Sequence, residues 1–255
     1  MVLCACSEQN ISVELTESDK VINAEGFITD NFETQYFEFH FSSDLGDETP
    51  PVFLEDVNLV VHTEDGDIVY DHDYQGRYRS RTPFQGNPGE SYIFEFSQDG
   101  KSYYAETAMP YPCTVDSVYH ISEFLDPVDL DGVRITVSSL SDQYIGYNFY
   151  YFNHFDSSWQ RISTPVYWVN PVVATAGQTI NLNPPSVPFF YNYGDSARLD
   201  LISYSNDVGD YLLDLRTYMT TGQVNNQFFN PPSFYTGNAF GMAYGRIVDT
   251  HYFSF

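Results

Sequence analysis

In Tyr36–Phe41 a phenylalanine falls at every second position: Phe37, Phe39 and Phe41 alternate with Tyr36, Glu38 and His40. A helix would scatter those rings around its circumference, whereas a strand sends alternate side chains to opposite faces. The pattern therefore predicts a half-buried antiparallel strand with the phenylalanines on the core side. Its neighbours read the same way. Val21–Thr29, Val57–Val61, Ile68–Tyr70, Gly76–Tyr78, Ser91–Phe96 and Ser102–Glu106 are short runs of β-forming residues. Turns at Glu64-Asp65-Gly66-Asp67 and Gln98-Asp99-Gly100-Lys101 punctuate them, because glycine supplies the positive φ that tight hairpins need. Strands at this spacing predict a β-sandwich of immunoglobulin or transthyretin type over residues 20–109.

Two prolines in Met109-Pro110-Tyr111-Pro112-Cys113 favour extended backbone, so residues 110–116 are read as a linker. Beyond it, residues 117–255 read as a second β domain. Ser117–Ile121 is a strand, Asp126–Gly132 a loop, and Val133, Ile135 and Val137 the inward face of another strand. Tyr147, Phe149 and Tyr151 alternate with Asn148, Tyr150 and Phe152, so both faces of that strand carry rings that need cover. One helix interrupts the pattern: Val208, Tyr211, Leu212, Leu215, Tyr218 and Met219 fall on a single helical face across 207–219. Asn206 or Asp207 would cap its start, and Gly222 lies beyond its end. The expected class is all-β, two β-sandwich domains, with one inserted α-helix in the second.

The 255 residues carry a formal net charge of -25, which disfavours nucleic acid and anionic lipid surfaces, since phosphate binding requires clustered Lys and Arg. The excess is uneven: residues 1–110 hold 22 acidic and 5 basic side chains, and residues 111–255 hold 13 and 5. No apolar run reaches the roughly 20 residues that a membrane-spanning helix needs. Residues 1–19 read as a tether. Within it Leu3-Cys4-Ala5-Cys6 resembles the end of a bacterial lipoprotein signal, read as a remnant, which makes Cys6 the candidate lipidation residue. Cys4 and Cys6 are too close to bridge, leaving Cys113 either free and buried or bonded to Cys6.

The order of the turn signals carries a resemblance. Ala24-Glu25-Gly26-Phe27-Ile28-Thr29, Asp65-Gly66, Gly76-Arg77-Tyr78, Gly89-Glu90-Ser91-Tyr92, Gly100–Ala105 and Asp116-Ser117-Val118 follow one another along the first half. Asp131-Gly132-Val133-Arg134-Ile135, Tyr147–Tyr151, Leu199–Tyr218 and the tail from Asn230-Pro231-Pro232 to Gly245 continue it. This succession, from about Val21 to Phe255, resembles a family of unknown function among Bacteroidota outer-membrane lipoproteins. The resemblance implies a surface-exposed, lipid-anchored protein of the outer membrane, often encoded beside TonB-dependent, SusC-like transporters. Such a β-barrel transporter is then the expected partner, and the membrane is contacted through the lipid anchor only. No catalytic residues come with the family.

The residues themselves suggest binding rather than catalysis. His40, His62, His72, His120, His154 and His251 are scattered, without the i, i+4 spacing that puts two metal ligands on one face. No G-x-S-x-G element sits on a strand-to-helix pattern. Asp126, Asp129 and Asp131 beside Gly132 are the candidate calcium ligands, because hard oxygen donors around a glycine turn suit that ion; the same residues equally make a solvated turn. Glu64, Asp65 and Asp67 around Gly66 form a second such loop. No other cofactor is implied. Trp159, Tyr167 and Trp168, with Tyr144 and Tyr147, could line a glycan groove, or could fill the core of a tyrosine-rich fold. The expectation is a non-enzymatic accessory subunit of an envelope transporter or complex, with a glycan-binding module as the alternative.

Overall fold

The structure, a computed structural model, describes residues 21–42, 50–125, 128–153, 157–161, 171–182, 196–221, 234–237 and 239–254, apart from the side chains at 120–125, 128–133, 151, 153 and 217–221. The strands are β1 Ile22–Thr29, β2 Tyr36–Phe41, β3 Asn58–Thr63, β4 Gly66–Tyr74, β5 Arg77–Ser80, β6 Ser91–Gln98, β7 Lys101–Ala108, β8 Cys113–Leu125, β9 Val128–Ser139 and β10 Gln143–Asn153. They continue with β11 Ser158–Arg161, β12 Val172–Ala174, β13 Thr179–Leu182 and β14 Ser196–Tyr204, then the helix α1 Asn206–Thr221 and the last strand β15 Ala239–Ser254. Among the described residues the protein is all-β with one helix, and its sheets pack in a sandwich-like arrangement.

Sequence alternation builds the first core. Phe37 and Phe39 of β2 are fully buried, as are Phe94 and Phe96 of β6. The two pairs meet across the interior, with ring centroids 5.2 Å apart for Phe37–Phe94 and 5.0 Å for Phe39–Phe96. The sheet order β1-β2-β5-β4-β3-β6-β7 places these strands in facing layers because β4 is shared between them. Its residues Gly66–Val69 pair with β3, and Tyr70–Tyr74 pair with β5. A bulge between His72 and Tyr74 accompanies the change of partner, as strand bends do at sandwich corners. At the β6–β7 hairpin Asp99 and Gly100 have φ of 50° and 76°, the two positive values of a tight turn whose twist matches the strands.

A second core lies between the sheet β8-β9-β13 and the strands β10, β12 and β14. Ile135, Val137, Ile145, Phe149, Leu199 and Leu201 fill it. Here the expected loop at Asp126–Gly132 is corrected: β9 begins at Val128, and the β8–β9 hairpin pairs from Cys113↔Ser139 to Leu125↔Val128. Asp129 and Asp131 thus stand opposite Phe124 and Ser122 as strand residues, since continuous pairing with β8 outweighs their turn propensity.

The division drawn at residues 110–116 is not a division of the sheet. Residues Ala239–Arg246 of β15 run parallel to β1, while Arg246–Ser254 run antiparallel to β14. Ala239, Ala243 and Ile247 join the core of the first sandwich. One 16-residue strand therefore knits both halves of the chain into a single 12-stranded sheet. Gly241 allows the close parallel approach: its φ is +106°, and a Cβ there would lie 2.1 Å from the Ala24 carbonyl oxygen.

Candidate binding face

The outward face of the β11-β10-β14-β15 sheet is built from alternate residues in register. Across it run Tyr144↔Tyr204↔Arg246, Gly146↔Ile202↔Val248, Asn148↔Asp200↔Thr250, and Tyr150↔Arg198↔Tyr252. On the outer side of β10, Tyr150 pairs with Arg161 and Phe152 with Trp159 of β11. Helix α1 covers one end of this face. Val208, fully buried, packs with Tyr144, Ile202 and Tyr204, and Val248 joins them. Tyr144 Oη also donates to Asp210 Oδ1 at 2.7 Å, tying helix to strand. The cap is Ser205 rather than either predicted residue: its carbonyl accepts the first helical bond, from Gly209 N at 3.0 Å.

At the other end the face carries aromatic rings around one guanidinium. Arg198 Cζ lies 3.9 Å from the ring centroid of Tyr150 and 5.9 Å from that of Trp159. Trp159 meets Phe152 at 5.3 Å and Tyr252 at 5.7 Å, with interplanar angles of 69° and 60°. Arg198 Nη2 donates to Asp200 Oδ2 at 3.0 Å, and Thr250 Oγ1 donates to Asp200 Oδ1, also at 3.0 Å. Burial works against the charge on Arg198, but Asp200 and then Tyr150 outweigh it and raise its pKa, so the guanidinium stays charged among the rings. Tyr252, at 65% exposure, presents most of its surface to solvent.

Of the predicted groove residues, Trp159 is on this face. Tyr144 lies beneath α1, and Tyr147 packs against the second core on the opposite side of the sheet. Tyr167 and Trp168 lie outside the described residues, as do Cys6 and Asp126. The sequence reading missed Arg198, Asp200 and Tyr252. From the sequence, Tyr150 and Phe152 are only rings in need of cover.

The acidic hairpin Glu64-Asp65-Gly66-Asp67 forms as predicted, but Asp67 turns to a histidine. His62 Nδ1 lies 2.7 Å from Asp67 Oδ1, and its Nε2 lies 3.2 Å from Glu95 Oε2. Those two carboxylates, Asp67 first, raise the His62 pKa. Among the described residues no three His, Cys, Asp or Glu side chains come together to hold a metal ion. A hollow of about 290 Å³ beside this hairpin is lined by Asp65, Asp67, Glu90 and Tyr92. Cys113 is free and buried.

Fold and face together define an all-β, sandwich-like protein with an aromatic surface held on paired strands. Residues 8–240 match the model of a family described as a domain of unknown function, DUF4249, and the chain belongs to that family. A search of curated proteins finds no match to it.

Proposed function

We propose that this is a non-enzymatic binding protein of the bacterial cell surface, anchored in the outer membrane through Cys6 and acting as an accessory subunit of a TonB-dependent transporter or another envelope complex. The observation that supports binding is the Tyr150–Trp159–Arg198–Tyr252 surface. Tyr150 and Arg198 sit where their strands are paired on both sides, and Trp159 and Tyr252 flank them on strands paired on the inner side, so little ordering remains to be done when a partner arrives. Location and partner rest on the sequence resemblance to Bacteroidota lipoproteins. Affinity purification of the tagged protein from detergent-solubilised native membranes tests this reading, with mass spectrometry of the N-terminal peptide and of co-purifying proteins. A barrel transporter with an acylated Cys6 supports it; an unmodified protein purifying alone overturns it.

A second reading, a surface glycan-binding module, is favoured by one particular arrangement: Trp159 and Tyr252 meet at a 60° angle beside the Arg198–Asp200 pair. It predicts a change in tryptophan fluorescence when polysaccharide is added.

A further inference from the structure

Resting on the glycan-binding reading, we infer that the face takes a neutral glycan, with Tyr252 and Trp159 as stacking rings and Arg198 with Asp200 as the hydrogen-bonding pair. A pyranose ring has an apolar C–H face and a polar rim, and each surface here matches one of them. The rings of Trp159 and Tyr252, 5.7 Å apart at 60°, form an open angle rather than a closed stack. Tyr252, 65% exposed, keeps ring surface open to solvent. Arg198 is the direct cross-strand neighbour of Tyr252, and its guanidinium, over the Tyr150 ring and 5.9 Å from that of Trp159, supplies the polar group beside the stacking rings.

The hydrogen-bonding chemistry suits hydroxyls. Each sugar hydroxyl both donates and accepts, and vicinal hydroxyls are best met by a donor and an acceptor held side by side. Arg198 supplies only donors and Asp200 only acceptors, and their 3.0 Å contact holds them adjacent. Neither is free to drift. Tyr150 lies under the guanidinium, and Thr250 holds the other carboxylate oxygen.

Charge selects against an acidic ligand. The Arg198 guanidinium is already matched by Asp200, and Arg161, across from Tyr150, is the other cation among the described residues at this end of the face. The whole chain carries -25, so a uronate or sulfated polymer meets net repulsion, whereas a neutral glycan meets none.

The test is a binding screen of the full chain on an array of neutral glucans, mannans, galactans and xylans beside polyuronates and sulfated glycans, followed by calorimetric titration of any that bind. The expected result is binding to a neutral class, weakened at least about tenfold in Tyr252→Ala and in Arg198→Gln. Tyr252 is exposed enough that its variant keeps the wild-type unfolding midpoint, which separates lost binding from lost fold. Neutral binding that survives Tyr252→Ala overturns the site. Binding to polyuronate alone overturns the neutrality argument and leaves glycan binding standing. No binding to any glycan overturns both, while the membrane purification still decides the accessory-subunit reading.

Discussion

Gly209 of α1 rests directly on the ring of Tyr144: a Cβ built at Gly209 would lie 1.9 Å from Cδ2 and 2.0 Å from Cγ. The helix can approach β10 this closely only without a side chain at that position. In an open helix, Gly→Ala stabilises by roughly 1 kcal/mol. Here the added methyl must displace a ring that is also hydrogen-bonded to Asp210. Gly209→Ala is expected to destabilise by about 1–3 kcal/mol, the overpacking range, read as a lower urea midpoint at unchanged slope. A rise in the midpoint would mean that α1 does not dock on Tyr144.

Met109 makes a comparable contact between the last strand and the first sandwich. Its Sδ would lie 2.8 Å from a Cβ at Gly245 of β15 and 2.9 Å from one at Gly86, and its side chain is 1% exposed. The sulfur fills the space that two glycines leave. Met109→Ala should open a cavity there and cost about 2–5 kcal/mol, measured by chemical denaturation. Leucine, of similar volume, should cost less than about 1.5 kcal/mol.

How much of this was legible follows from which interactions are local. β2 was read at its observed bounds, Tyr36–Phe41, because the period-2 phenylalanine pattern lies entirely within it. The Asp99-Gly100 turn was legible for the same reason. The pairing of β15 with both β1 and β14 was not, since no sequence pattern records which strand lies beside which. The candidate face shows the same limit. Trp159 stood out by residue type alone, but Arg198 and Tyr252 join it only through cross-strand register. The turn propensity of Asp129 and Asp131 is local, whereas 12 paired positions of the β8–β9 hairpin settle their conformation.

His62 ties stability to pH. Hydrogen bonds to Asp67 and then Glu95 raise its pKa above the ordinary value of 6.5. A folded-state value above the unfolded one stabilises fully below the unfolded pKa and ceases to do so as pH rises through the folded one. The advantage of wild type over His62→Gln should thus be largest below about pH 6.5 and should shrink as the pH rises above it. With its side chain 35% exposed, the effect is small. Titration of the imidazole by NMR checks the cause directly: a midpoint at or below 6.5 would remove it.

Cys113 should behave as an inert core thiol. It is 3% exposed, and Gln143 Nε2 donates to its Sγ at 2.9 Å. Gln143 is held in turn by Tyr111, whose N–H donates to Oε1 at 3.0 Å and whose carbonyl accepts from Nε2 at 2.8 Å. A thiol reagent cannot reach Cys113 without opening this end of the second core. Peptide mapping after alkylation should find it unmodified in native protein and modified in guanidinium. Labelling under native conditions would place it at the surface instead.

Tyr78 anchors the entry to β3 through its hydroxyl. That oxygen accepts from Val57 N at 2.8 Å and donates to the Leu54 carbonyl at 3.2 Å, while the ring is 1% exposed and edge-on to Phe39. Phenylalanine keeps the ring packing but leaves the buried Val57 N–H without its acceptor, and an orphaned buried donor costs its desolvation. Tyr78→Phe is expected to lose about 1–3 kcal/mol in urea denaturation, with the slope unchanged. Hydrogen exchange gives a local reading of the same bond: the Val57 amide should be protected in wild type and exchange faster in the variant. Equal protection in both would mean that another acceptor serves Val57.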